Sequence, residues 1–212
     1  GFRAPTPGQQ GTTNVSTRLP NGFPVAVGLF PAGGPIAAAL GASPLKPETS
    51  DNFSIGMTGS LGAVDFTFDY YTIEITDFFS SISTLSVSTD PESSGYSNYQ
   101  KLDAAGVVGA NTIGGVFYFT NAYDVSVSGY DLVATYPIDW DSGASTAISA
   151  TLGYNERDFE SDPSGFLNAE AQHDVVNFDP NTRIVINAVH SWDSCGVMAR
   201  ASYWGEAANY QS

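Results

Sequence analysis

The sequence is short of cations: 7 Lys and Arg stand against 22 Asp and Glu, for a formal net charge of −15. No Lys/Arg run occurs anywhere, and neutralising phosphates requires basic patches, so a nucleic-acid partner is excluded. Cysteine is nearly absent. Cys195 alone makes neither an internal disulfide nor a cysteine zinc site, and its neighbours Asp193 and Ser194 offer nothing that activates a thiolate. There is no uninterrupted long apolar run either. Residues 23–42, FPVAVGLFPAGGPIAAALGA, approach the length of a membrane helix, but Pro24, Pro31, Pro35 and the Gly33-Gly34 pair interrupt them. A loop with one helical turn near Ile36 to Leu40 is the expectation there. G-x-S-x-G, H-E-x-x-H, Walker and EF-hand patterns are all missing, so the chain reads as no enzyme, with no cofactor and no metal. The remaining composition, 42% hydrophobic and 13% aromatic, is that of a structured chain.

What is present is period two. Phe53, Ile55 and Met57 alternate with Ser54, Gly56 and Thr58, then GSLG (residues 59–62) makes a turn, and Val64, Phe66, Phe68 and Tyr70 oppose Asp65, Thr67 and Asp69. The alternation slips at Tyr70-Tyr71, which suggests a bulge or a strand leaving its apolar surroundings. From Val116 one long strand is expected through Phe119, Asn121, Val127 and Gly129 to YDLVATYPI, with a turn over residues 139–145 and a return strand over residues 146–155. A polar stretch over residues 156–180 precedes a third pair, TRIVINAVHSW and VMARASYWG, joined by DSCG. Turns are short at one end of every hairpin, and connections are long at the other. Compact soluble domains rarely carry long structureless loops, whereas outer-membrane barrels pair short periplasmic turns with long extracellular loops. Strands of about 9 to 11 residues span a membrane when tilted. Tyr136, Trp140, Tyr154, Trp192, Tyr203 and Trp204 sit toward strand ends, as an aromatic girdle would. A soluble β-sandwich with one solvated face is the alternative.

GFRAPTPGQ followed by LGASPLKPETSDNFSIG resembles the signature of the TonB-dependent outer-membrane receptors of Gram-negative bacteria, in which an F-R-A-P-like strand end leads through a loop to an L-K-P-E-x-S segment. FDYYTIEITD, FTNAYDVSVSGYDLVATY and SYWGE fit the same family. The motif residues are Phe2, Arg3, Ala4, Pro5, Thr6, Leu45, Lys46, Pro47, Glu48, Ser50, Asn121 and Gly129. The resemblance implies an all-β fold: an antiparallel meander of about 6 or 7 strands, part of a transmembrane barrel of about 22. It also implies that residues 1–212 are a piece of the C-terminal half of that barrel, with the N-terminal plug domain and the final strands lying outside it. The implied function is uptake of a scarce solute, a ferric siderophore by default, with cobalamin, other chelates or oligosaccharides as alternatives. The implied partners are the TonB protein, reached through the plug, an extracellular small molecule and outer-membrane lipid. A passive porin and a soluble secreted adhesion or glycan-binding protein are the rival functions.

Asp65, Asp69, Asp131 and Arg200 fall on the expected polar face, where they line a lumen, a plug contact or a substrate path. Arg3 and Glu48, in the two signature turns, are expected to pair and so fix the long loop between them. Pro7-Gly8 is read as breaking regular structure. His173-Asp174 reads as a solvated loop pair, His190 as an interfacial side chain beside Trp192, and Asp139 and Asp141 as turn carboxylates. Phe23, Phe30, Tyr96, Tyr99 and Phe166 either touch ligand or pack loop to loop.

Overall fold

The structure, a computed structural model, describes residues 1–19 and 22–208. Its main element is a seven-stranded sheet of β1 (Phe2–Arg3), β4 (Glu48–Leu61), β5 (Val64–Ser81), β8 (Phe119–Asp139), β9 (Ser145–Phe159), β10 (Thr182–Ser191) and β11 (Gly196–Trp204), in that order. Every neighbour is the next long segment along the chain, so the sheet is the expected antiparallel meander with open edges at β1 and β11. Four of these strands exceed the expected length.

The turns follow from local chemistry. Gly62 takes φ +63° as the first of two residues between β4 and β5, the position that a II′ hairpin turn reserves for glycine, so the turn falls on Gly62-Ala63 rather than on GSLG as a whole. Gly143 takes φ +82° between β8 and β9, where the Trp140 amide donates to the Ala144 carbonyl at 2.9 Å. The Trp192 amide donates to the Cys195 carbonyl at 2.7 Å between β10 and β11.

Two compact units divide the chain. The first comprises Gly1–Ser50, Ile75–Asp124 and Ser161–Ala169. It holds a second sheet that the alternation does not announce, of β2 (Asn14–Arg18), β3 (Val25–Leu29), β7 (Ile113–Phe117) and β6 (Leu85–Ser86), with β3 and β7 parallel. Gly114 and Gly115 let it close, because a Cβ on either would collide with Val25 or Val27. Three short helices belong here: α1 (Pro7–Gly11), α2 (Pro35–Ala39), which is the helical turn expected near Ile36, and α3 (Tyr96–Ala104). Phe30, Leu40, Ile82, Leu102, Val116 and Tyr118 are among its buried core. Burying a Leu or Val side chain contributes about 1.5–3 kcal/mol, so these loops carry a core of their own. The single strand expected from Val116 is in fact two. Val116 and Phe117 belong to β7, and Tyr118 separates them from β8 while its hydroxyl donates to the Leu40 carbonyl at 3.3 Å. Burial raises the Tyr118 phenol above its ordinary value.

Pro7-Gly8 starts a helix rather than ending structure. Thr6 and Gln9 form a capping box, Gln9 N–H to Thr6 Oγ1 at 3.3 Å and Thr6 N–H to Gln9 Oε1 at 3.0 Å, and Pro7 fits the first turn because its missing N–H is not needed there.

The second unit comprises Asp51–Glu74, Val125–Glu160 and the described residues from Glu170 onward, including most of α4 (Ala169–Asn177). Its strands carry two contrasting faces. Residues opposite each other on neighbouring strands share a face. One face stacks Leu132, Leu152, Ile184 and Tyr203; then Ala134, Ala150, Ile186 and Ala201; then Tyr136, Ile148, Ala188 and Ala199. The other stacks Asp131, Gly153, Arg183 and Trp204, and two rows on, Thr135, Ser149, Asn187 and Arg200. Trp204 therefore lies off the expected girdle. It shares the polar face with Arg183, whose guanidinium carbon is 4.6 Å from its ring centroid.

Candidate functional site: the motif clamp and the two-faced wall

In the first unit, motif residues far apart in sequence meet. Arg3 lies directly opposite Glu48 in the β1–β4 register and grips it at two points, Nε to Oε1 at 2.6 Å and a terminal nitrogen to Oε2 at 3.0 Å. The Glu48 residue is only 6% exposed, and its Oε2 also accepts the Phe79 amide at 3.3 Å. The Arg3 guanidinium carbon sits 4.4 Å from the Phe79 ring centroid, a cation–π contact on its apolar side. A carboxylate this buried needs its paired cation, because an unpaired buried charge costs about 3–5 kcal/mol.

Asn121 holds the other side of the same segment. Its Oδ1 accepts the Lys46 amide at 2.9 Å, and its Nδ2 donates to the Lys46 carbonyl at 3.0 Å, so the side chain mimics a neighbouring strand. The same Nδ2 donates to the Asp77 carbonyl at 2.7 Å, while the Asp77 amide donates to Asp124 at 2.8 Å. Asp77 has φ +57°, a left-handed conformation unusual for a residue other than glycine. β5 therefore carries a backbone irregularity here, held by Asn121 and Asp124. Asp77, Asp124 and the Phe78–Tyr123 stack (5.7 Å) are not evident from the alternation. The available signal is an acid breaking an apolar strand directly before Phe78-Phe79, opposite an Asn121/Asp124 pair spaced by three.

Leu45 and Pro47 flank these contacts, and Ser50 donates its amide to the Gly1 carbonyl at 2.8 Å. Phe2 and Ala4 are exposed, and the Pro5 carbonyl accepts the Gln10 side-chain amide at 3.4 Å. Gly129 lies in the second unit and keeps a close approach open, since a Cβ there would meet the Tyr154 carbonyl and stand 2.6 Å from the Tyr71 hydroxyl. Tyr71 thus lies across the polar face, on the side of Asp131, which is why the apolar alternation stops at Tyr70. Asp69 fills the equivalent space over Gly56, and the Asp131 Oδ1 is 3.0 Å from where a Cβ on Gly153 would be. The Asp65 carboxylate accepts the Ser60 hydroxyl at 2.6 Å. Among the described residues, Asp65, Asp69, Asp131 and Arg200 form no ion pair with one another, and His173 Nδ1 lies 3.7 Å from Asp174 Oδ1 on α4 rather than in a loop.

The apolar face of the second unit has aromatic borders. At one end Tyr130 and Tyr154 stack at 5.2 Å, and beyond them the same face turns polar with Ser128 opposite Glu156 and Ser126 opposite Asp158. This is why residues 156–159 extend β9 although they read as a polar loop. At the other end Trp140 Nε1 donates to Thr146 at 2.8 Å, Thr146 bonds His190 Nδ1 at 2.7 Å, and Trp192 meets the His190 ring edge-on at 4.1 Å. Ten residues separate Tyr130 from Trp140, about 33 Å of strand, which a tilt of about 40° reduces to about 25 Å, the height of the apolar band of an outer-membrane barrel.

Compared with known families, residues 1–211 match the description "TonB dependent receptor-like, beta-barrel". The chain belongs to that family. The match covers essentially the whole sequence and agrees with the meander, the apolar outer face and the short turns. This TonB-dependent receptor-like family is one of outer-membrane receptors and transporters. No described helix is long and apolar enough to cross a membrane, which leaves crossing by strands untouched. No curated protein matches the chain. Within this family member's loops, Phe30 is buried and Tyr99 and Phe166 pack against the core, whereas Phe23 stands 73% exposed beside Arg18 and Asp90 on a groove of about 860 Å³.

Proposed function

We propose that the chain forms part of the wall and outer loops of a receptor that captures a scarce solute outside the cell and imports it with energy delivered by TonB through a plug domain. The observation that carries this reading is the second unit: one face apolar between two aromatic rows, the other bearing charges. The groove of Arg18, Phe23 and Asp90 supplies a polar and aromatic surface for first contact with the solute. Ferric siderophores are the default cargo, with cobalamin, other metal chelates and oligosaccharides as alternatives. Growth on a limiting solute tests it. Deleting the parent gene and deleting TonB should abolish uptake equally; uptake that persists without TonB would show a passive porin instead.

A further inference from the structure

The second unit contains three Lys or Arg residues among those described, Arg157, Arg183 and Arg200, and all lie on its polar face, one on each of β9, β10 and β11. Their register is regular. Arg183 is opposite Gly153, four residues along β9 from Arg157, and Arg200 is opposite Asn187, four residues along β10 from Arg183. Each step therefore moves about 13 Å along the strands and about 4.8 Å across, placing successive Cα atoms about 14 Å apart. The steps run from the end with the long 160–181 connection toward the end with the short 192–195 turn. Asp65, Asp69, Asp131 and Asp139 occupy β5 and β8 on this face, with Asp131 reaching over Gly153, while β9 to β11 themselves carry no Asp or Glu there.

Among the described residues, none of the three arginines has a carboxylate partner. Arg157 donates to the Val175 carbonyl at 3.0 Å, Arg183 lies on the Trp204 ring, and Arg200 is exposed. In a chain of net charge −15, three guanidiniums that share one face and form no salt bridge to a carboxylate within it make a local site for an outside anion. We propose that Arg157, Arg183 and Arg200 form a stepped cationic track on the lumen wall that engages the anionic groups (carboxylate, phosphate or sulfate) of the transported solute and hands them from the outer to the inner end. Guanidinium forks bind such oxygens through paired hydrogen bonds, and the exposed Trp204 ring beside Arg183 offers a flat apolar surface for the solute's carbon skeleton. The even progression along the direction of transport suits a moving anion better than a fixed domain contact.

This inference rests on the uptake reading above, and its test is a binding measurement that does not require TonB. The full-length receptor in detergent is titrated at low ionic strength with trigalacturonate, which carries three carboxylates, and with maltotriose, a neutral trisaccharide. Trigalacturonate should bind in preference, and replacing all three arginines by Gln should weaken it by about tenfold or more, while the triple Lys variant keeps most of the affinity. Retained heat-modifiable gel mobility verifies that each variant is folded. Equal titration of the two sugars, or a trianion titration unchanged in the Gln variant, overturns the track. So does a Gln variant whose plug becomes protease-sensitive with anion binding intact, which would make the arginines a plug contact. TonB-independent uptake combined with arginine-dependent anion binding would sink the uptake reading and leave the track standing.

Discussion

The two units place their apolar residues in opposite ways. In the first, Leu102 and Val116 are wholly buried, and Phe30, Leu40, Ile82 and Tyr118 pack around them. In the second, Ile55, Met57, Ile148, Ile186 and Tyr203 stand exposed, and among described apolar residues only Val125, Ala144 and Val185 are buried. The same chemistry in two solvents explains this: loops in water must hide hydrocarbon, whereas a wall in lipid must display it. The contrast also shows why a strand's alternation has to be read together with its surroundings.

Substitutions can break this contrast. Leu102→Ala should be the most costly, destabilising the loop unit by about 3–4 kcal/mol through lost burial and a cavity, seen as accelerated loop proteolysis. Ile186→Arg on the displayed face should cost about 2–4 kcal/mol in denaturant titrations of receptor folded into vesicles, whereas Asn187→Arg, one residue on and facing the other way, should cost under about 1 kcal/mol. Equal costs at 186 and 187 would refute the assignment of faces. Arg3→Glu should destabilise the clamp by about 2–3 kcal/mol, less than for a fully buried pair because Arg3 is half exposed, and adding Glu48→Arg should recover most of the loss. Absence of recovery would show that Arg3 acts through Phe79 rather than Glu48. Asn121→Ala should cost about 1–3 kcal/mol by orphaning the Lys46 and Asp77 backbone groups, with faster amide exchange at Lys46 as the specific sign. Thr6→Ala should cost about 1 kcal/mol, confined to α1.

Much of the wall is legible in the sequence because a strand in lipid writes its two faces into alternate residues, as Leu132, Ala134 and Tyr136 do against Asp131 and Thr135. The Arg3–Glu48 pair is legible because both ends lie in recognisable turns. The loop sheet is not. β3 and β7 pair in parallel across roughly 90 residues of sequence, and no local pattern announces so remote a partner. Residues 156–159 do not read as strand because beyond Tyr154 the outer face turns from apolar to acidic, which removes the alternation while the strand continues. Trp204 departs from the expected girdle because parity, not proximity to a strand end, decides which side an aromatic occupies. Asp77 stays hidden because its left-handed backbone is held by Asn121 and Asp124 from another strand.

The spacing of the aromatic rows acts as a ruler for the bilayer. A typical hydrocarbon core is about 30 Å thick, and at the usual barrel tilt of about 40° the band from Tyr130 to Trp140 spans about 25 Å, so lipid in contact with a wall tilted that way thins to meet it. Each ångström of mismatch costs a fraction of a kcal/mol, summed around the perimeter. The wall therefore matches short-chain or naturally thin membranes better than thick ones.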